Sequence, residues 1–496
     1  MMKVGFDNKK YIKLQSKEIK NRIDIFDNKL YLEVGGKLFD DYHACRVLPG
    51  FKALSKLEVL KEFKNDIEVI FCISARDIER NKIRAEYGIT YDMEVLRLID
   101  NFKELNISVN SVVITLFEGQ EKALKFKDKL EKNNILTYIH YFTKGYPTNI
   151  DLIVSEDGYG ANPYIETTKS LIIVTAPGPG NGKLATCLSQ LYHEYKKGVR
   201  AGYAKYETFP VWDKSLKHPL NIAYEAATAD LKDVNMIDSF HLDAYNISSV
   251  NYNRDMEMFP VVRDIIYKIT NEEIYKSPTD MGVNVIGKCI LNEDIINEAA
   301  KKEIVRRYYG SLCDNKMSIV QDDIPKRIKM LMNELNISDD YIEVVKPALD
   351  KLKKTGRHSM SIRLPNNKIV TGKQTDLLSA PSSALINAIK ELTKIPDKID
   401  LLSPAVIEPI IKYKPNLLNN KPYCLQLQEV IIALSIASVT NPIAQKALSN
   451  LSKLENCDAH CTYIVRNGDL SVLKSLKINL TCEPVYYSNN LFNIEK

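Results

Sequence analysis

The residues that state a chemistry most plainly are Pro177-Gly178-Pro179-Gly180-Asn181-Gly182-Lys183. The run 171–175 before them, Leu-Ile-Ile-Val-Thr, is apolar and β-branched and predicts a buried strand. After them, Leu184, Leu188 and Leu191 fall on one face of a helix predicted over 184–197. A strand, a turn of alternating glycines, a lysine and a helix start form a cradle for an anion. Amides of the turn and helix N-terminus point at one ligand, and the lysine adds a full charge. A nucleotide-binding P-loop reads Gly-x-x-x-x-Gly-Lys-Ser/Thr. Gly182 and Lys183 match it, but Pro177 stands at the first glycine and Gly178 comes one place late. Leu184 occupies the Ser/Thr position and cannot hold Mg²⁺, which leaves Thr186 as a substitute with altered geometry. Gly178, Gly180, Asn181, Gly182, Lys183 and Thr186 are therefore the expected ligand-binding set. The plain alternative is a turn whose glycines only permit close packing. Packing alone does not call for a lysine beside a helix N-terminus, where the macrodipole disfavours cations.

Other residues compete for roles beside this turn. Asp157 follows the apolar run 151–154, read as a strand, and a carboxylate there can position Mg²⁺ near phosphates. Asp77, after 68–74, has a weaker version of the same claim. Gly35-Gly36-Lys37 precedes Asp41 and His43, an acid and a titratable imidazole that can move protons. Simple turn and cap chemistry is the competing reading of each. His193 lies too far along the predicted helix to share a phosphate with its start. Cys457-x-x-His460-Cys461 lacks a clear fourth ligand for zinc and reads as core. No metal centre is expected. The loops 276–282 and 371–376, the pair Lys205 and Glu207, and Thr228 with Asp230 combine charges and hydroxyls without fixing a role.

The elements that position these residues follow from the pattern. Strands are predicted at 29–34, 68–74, 111–115, 137–141, 151–154 and 171–175, with helices at 54–63, 92–105 and 121–133 between them. This alternation predicts an N-terminal doubly wound, mostly parallel sheet over 1–220, whose ligands sit beyond the carboxyl ends of the strands. From 221 to 355 helical patterns dominate, among them 292–308, 323–335 and 339–353, and a mainly helical middle domain is expected. From 356 to 496 α/β texture returns, with a hairpin at 358–364 and 368–371 and strands at 462–465 and 480–486. The predicted class is α/β.

Composition bounds the setting. The chain has 496 residues, 45% hydrophobic and 26% charged, with a net charge of +5, ordinary values for a globular protein. Lysines between 121 and 132 alternate with acids, the mark of a solvated helix face rather than a nucleic-acid stripe. The first twenty residues carry no signal-peptide core, and no apolar run reaches the roughly 20 residues of a membrane span. Nine irregularly spaced cysteines suit a reducing compartment. A cytoplasmic protein without nucleic-acid or membrane partners is expected, and a homo-oligomer at this size.

With these blocks laid out, the chain resembles a bacterial family, UPF 0371, over nearly its whole length. The resemblance is carried by Gly5-Phe6-Asp7, Gly35-Gly36-Lys37-Leu38-Phe39-Asp40-Asp41-Tyr42-His43-Ala44, Arg46-Val47-Leu48-Pro49-Gly50-Phe51 and Gly158-Tyr159-Gly160. The glycine turn with Lys183, then Ala185-Thr186-Cys187-Leu188-Ser189-Gln190-Leu191-Tyr192-His193, Tyr224-Glu225-Ala226-Ala227-Thr228-Ala229-Asp230-Leu231 and Lys276-Ser277-Pro278-Thr279-Asp280-Met281-Gly282 complete it. It implies a three-domain layout and a bacterial cytosolic setting, not a reaction. From the residues, the first expectation is a small phosphorylated ligand, ATP or GTP with Mg²⁺, and a phosphotransferase or NTP hydrolase. Asp41, His43 and Asp157 would be its catalytic groups. An enzyme acting on a non-nucleotide phosphorylated substrate and a ligand-binding scaffold are the alternatives.

Overall fold

The apolar runs of the N-terminal half become β1 (Leu30–Val34), β2 (Ile67–Ser74), β3 (Ser108–Phe117), β4 (Leu136–Tyr141) and β5 (Leu171–Thr175). With β6 (Gly202–Tyr206) and β7 (Gly282–Val283) they form one sheet, ordered β7-β6-β1-β5-β2-β3-β4, in which every pairing is parallel. The structure, a computed structural model, describes residues 4–84, 88–417 and 424–488. β1, β2 and β5 are buried along their whole length, as strands covered on both faces must be. Val69, Ile70, Phe71 and Ile73 of β2 are fully enclosed, each contributing about 1.5–3 kcal/mol of apolar burial.

The strand order fixes where a ligand can sit. From β1 the chain crosses over β5 to β2 and continues outward to β4. From β5 it crosses over β1 to β6 and continues the other way. With right-handed crossovers, the helices of these two arms fall on opposite faces. Helices α1 (Asn8–Ile25) and α3 (Ser55–Lys61) pack together on one side, with α2 (Tyr42–Val47) between β1 and α3. The same arm continues through α4 (Ala75–Glu79), α5 (Tyr91–Glu104) and α6 (Glu121–Lys132). On the other face lie α7 (Lys183–Lys196) and α8 (Asn253–Thr270), in contact with each other. The loops after β1 and β5 thus leave neighbouring strands in opposite directions. That is a topological switch point, where open α/β sheets bind ligands.

Helix α7 is anchored at its far end. Glu194 accepts from Tyr31 Oη at 2.6 Å and Tyr164 Oη at 3.1 Å and faces Lys29 Nζ at 3.5 Å. Gln190 bonds both backbone groups of Ile165. One expectation fails here, and one strand goes unpredicted. Residues 151–153 are not a strand but lie in the short helix Ile150–Ile153, with Val154 as its C-cap, because Asn149 caps its start by accepting from the Leu152 amide at 3.0 Å. β6 was not predicted, since it opens on glycine and carries Lys205 mid-strand, which hides the apolar alternation.

Residues 4–225 and 233–300 make one compact unit, and residues 226–232 and 301 onward make a second. The second contains the latter part of α9 (Glu293–Lys316), then α10 (Asp323–Glu334) and α11 (Val345–Thr355). Pro347 falls in the first turn of α11 and is tolerated there. A mixed sheet follows, ordered β9-β8-β10-β11. It is built from the hairpin β8 (Ser359–Arg363) and β9 (Ile369–Lys373) with the parallel pair β10 (Asp458–Cys461) and β11 (Asn479–Cys482). Helices α12 (Ala380–Thr393) and α13 (Leu427–Ala437) cover its core of Met360, Ile362, Leu385, Ile389 and Val430. The strand expected at 462–465 lies four residues earlier, at β10, and so includes His460 and Cys461 of the Cys-x-x-His-Cys motif, with Cys457 just before it.

Candidate functional site

Gly180 and Gly182 both take left-handed backbone, φ +74° and +77°, around a residue of negative φ. Such alternation turns successive amides toward one side and makes a nest for an anion. Gly182 is the N-cap of α7, with no side chain capping it. Among the described residues, nothing accepts from the amides of Gly180, Asn181, Gly182, Lys183, Leu184 or Ala185. The turn also faces open space. Pro179, Gly180 and Ala185 are exposed, and a Cβ placed on Gly180 meets no atom within 4 Å.

The side chain of Asn181 is spent on holding the turn. It is 1% exposed. Its Oδ1 accepts from the Ser74 amide at 2.7 Å, while Nδ2 donates to the carbonyls of Gly178 and Pro179 at 3.0 and 3.2 Å. Thr115 Oγ1 at the end of β3 donates to the Asn181 carbonyl at 3.0 Å, and Arg84 Nη1 donates to the Pro177 carbonyl at 2.8 Å. These bonds pull carbonyls inward and leave the amides pointing out. Thr186 is fully buried and accepts from the Cys72 thiol at 3.4 Å, whose pKa burial pushes up to about 12. Its hydroxyl does not reach the turn's open side, so neither Thr186 nor Leu184 offers a Mg²⁺ ligand.

Lys183 turns back onto the sheet, its Nζ 3.7 Å from Glu33 Oε1. Glu33 also accepts from Tyr203 Oη at 2.9 Å. Glu33 is in register with Lys205 on β6, and Lys205 Nζ lies 2.7 Å from Glu207 Oε1 and 2.5 Å from Asp255 Oδ2. A row of alternating charges thus runs along the carboxyl ends of β5, β1 and β6. Burial pushes the Glu207 carboxyl up to about 7, with Asp255 and Glu33 adding to the rise and Lys205 opposing it. The sequence singled out Lys205 and Glu207 but not Glu33 or Asp255. A lone acid ending an apolar strand before Gly35-Gly36 was the signal available for Glu33, whereas Asp255 carried none.

Asp41 is engaged as a helix cap and in an ion pair. It caps α2 through the Ala44 amide at 3.1 Å and pairs with buried Lys56 at 2.8 Å. Burial raises its pKa, but Lys56 and the amide outweigh that and hold the carboxyl below its usual range. The His43 ring packs edge-on against Phe209 and Tyr224, and His43 is among the groups that hold the Asp41 pKa down. Asp157 is exposed and sits in the segment 155–162. That segment packs along the far half of α7 through Ser189 and Tyr159, about 9 Å or more from its first residue at 1.5 Å per residue. Asp77 is paired with Arg80 and Lys82. His193 bonds the Asn162 carbonyl at 2.8 Å.

Two further clusters have the residue types of catalytic or metal sites. His241 Nδ1 lies 2.9 Å from Ser277 Oγ and 3.7 Å from Asp280. Both partners share one nitrogen, whereas a triad needs them on opposite ones, and Ser277 caps the turn that holds Asp280. Cys457, His460 and Cys461 lie in and beside β10, where successive side chains leave on opposite faces. His460 is satisfied by Thr481 at 2.9 Å and Glu483 at 3.1 Å. Among the described residues no group of three or more metal-ligating side chains forms, and no helix is long and apolar enough to cross a membrane.

Comparison with known proteins agrees on one family. Residues 4–336 match the family model described as "Domain of unknown function DUF1846, N-terminal", and 340–492 match its C-terminal counterpart. The chain is 53% identical to a UPF0371 protein of Clostridium botulinum (strain Eklund 17B / Type B), over 99% of each chain. It is 52% identical to one of Clostridium tetani over the same shares, and 53% identical to one of Clostridioides difficile over 99% of this chain and 100% of the other. Identity at this level along both units makes the assignment plain: the chain belongs to the UPF0371 family.

Proposed function

We propose that the chain is a metabolic enzyme that binds the phosphate of a small, non-nucleotide metabolite at the amides of residues 180–185. The observation carrying this reading is that these amides have no acceptor among the described residues while Gly180 opens to space. Donors of this kind are ordinarily satisfied by a ligand or water. The location at the switch point between β1 and β5 supports it independently. ATP or GTP with Mg²⁺ is the less favoured ligand, because Thr186 is buried, Leu184 lacks a donor atom, and Lys183 is held by Glu33.

Gly180→Asp tests the reading. Asp tolerates left-handed backbone better than most residues, and its Cβ has room, so the protein folds but carries a carboxylate into the nest. Calorimetric titration with inorganic phosphate is expected to give heat for the wild type and Gly180→Asn, and none for Gly180→Asp. Titration with ATP, with and without Mg²⁺, is expected to show no gain from the metal. Equal phosphate binding by wild type and Gly180→Asp would refute the site.

A further inference from the structure

The parallel sheet ends at the edge strand β7, and a cleft opens there. Helix α1 packs on β6 and β7 with Tyr11, Gln15, Ile19 and Ile23 buried. Gln15 holds the edge, donating to the Val283 carbonyl at 2.9 Å and accepting from the Val285 amide at 3.2 Å. Glu18 and Arg22 lie three and seven residues further on, along the same helix face. With Trp212, Asp213, Asp280 and Lys288 they line a cleft of about 250 Å³, all within one compact unit. β7 stands three strand spacings from β5, about 14 Å, so the cleft and the glycine turn are separate places.

The polar groups of this cleft are not spent on one another. A glutamate four residues before an arginine is the favoured order for a helical ion pair. Yet among the described residues Arg22 meets no carboxylate, and its guanidinium makes one long bond, Nη2 to the Gly282 carbonyl at 3.4 Å. Among the same residues Glu18 accepts from Asn21 alone, at 3.5 Å, and exposed Asp213 and Lys288 have no ion-pair partner. Asp280 Oδ2 accepts from Tyr245 Oη at 2.9 Å and the Lys276 amide at 3.0 Å, which leaves Oδ1 with His241 at 3.7 Å. Trp212 Nε1 is enclosed and has no acceptor among the described residues, a rare state for a buried donor. We propose that this cleft binds a free α-amino acid. A lone anion would face three carboxylates, and a lone cation would face Arg22 and Lys288, whereas a zwitterion answers both signs. The ligand's carboxylate meets the open fork of Arg22, whose paired N–H groups match it. Its ammonium meets the carboxylates of Glu18, Asp213 and Asp280, and its side chain lies along the Trp212 ring. The volume falls below that of drug-sized pockets, as a single amino acid requires.

Trp212 is the chain's only tryptophan, so its emission reads the cleft directly. The full-length protein is titrated with each of the common amino acids while that emission is followed, with calorimetry for tyrosine and tryptophan, which emit themselves. At least one amino acid is expected to give a saturable response. The matched amine without the carboxylate, and the matched acid without the amino group, are each expected to bind about tenfold more weakly or worse. Arg22→Met is expected to weaken binding about tenfold or more, the loss of a charge-assisted bond. Asp213→Asn, at an exposed position that folding does not depend on, is expected to weaken it about threefold, and it carries the test if Arg22→Met does not fold. No saturable response to any amino acid overturns the proposal. So does equal binding of the matched amine or acid, or unchanged affinity in both variants. Phosphate titration at the glycine turn is a separate measurement, and neither result decides the other.

Discussion

Lys183 Nζ lies 3.7 Å from Glu33 Oε1, and the carboxylate also accepts from Tyr203 at 2.9 Å. The lysine beside the helix start is therefore balanced from below by an acid of the neighbouring strand, which offsets its conflict with the helix dipole. Glu33→Gln keeps an acceptor for Tyr203 and releases the ammonium. Phosphate binding is expected to tighten about 3–10-fold, the effect of roughly 1 kcal/mol of charge-assisted bonding, measured by calorimetry at low salt. Unchanged or weaker binding would show that Lys183 does not serve the nest.

Asn181 ties the turn to the ends of β2 and, through its carbonyl, β3. Asn181→Ala leaves the buried Ser74 amide unpaired, at a cost of about 1–3 kcal/mol. Urea denaturation is expected to record that loss, and phosphate binding to weaken with it. A variant of full stability would mean the turn holds its shape without this side chain.

The Lys56–Asp41 pair is enclosed at 2.8 Å. Lys56→Met strands the carboxylate and is expected to cost about 3–5 kcal/mol, with Lys56→Met/Asp41→Asn recovering most of it. Because the folded pKa of Asp41 is depressed, its contribution is present above the ordinary carboxylate range and disappears as pH falls through the folded value. The penalty of Lys56→Met should therefore shrink in denaturation curves taken near pH 3 compared with pH 7.

Glu207 has the opposite sign. Its carboxyl is raised to about 7 when folded, chiefly by burial, so the folded state prefers the protonated form. Its stabilising share is full below the ordinary carboxylate range and is lost as pH rises toward 7. The raised Lys205 pKa adds nothing across that window, since the lysine stays charged in both states. Glu207→Gln should therefore gain stability relative to wild type between pH 5 and pH 8. A difference that does not vary with pH would contradict the assigned environment.

In the second unit, Gly372 of β9 lies against the backbone of Ala384 at the start of α12, closer than a Cβ allows. Gly372→Ala is expected to destabilise this unit by about 1–3 kcal/mol or more through overpacking. Phosphate titration should remain unchanged. A stable variant would mean the strand and helix part freely.

Much of this was legible in the chain. The runs at 68–74 and 171–175 announced their strands because parallel strands buried on both faces need continuous apolar residues. The glycine spacing announced the turn. β6 escaped because Gly202 and Lys205 break its apolar pattern, and 151–154 misled because a local asparagine cap overrode strand propensity. Asp41 and Asp157 looked chemical because an acid after a glycine or an apolar run reads alike whether it caps a helix, faces solvent or meets a ligand. Only pairing with Lys56, or placement along the far half of α7, separates those cases. The Glu33–Lys205–Asp255 row depends on register between distant strands, which spacing along the chain does not encode.

The bonds from Glu194 to Tyr31 and Tyr164 secure the trailing end of α7, while Asn181 secures its leading edge. Clamped at both ends, the helix keeps its unshared amides preorganised. Under the phosphate reading proposed above, a guest would meet donors already in place, and the entropy of ordering them is lost when the chain folds instead of being subtracted from binding.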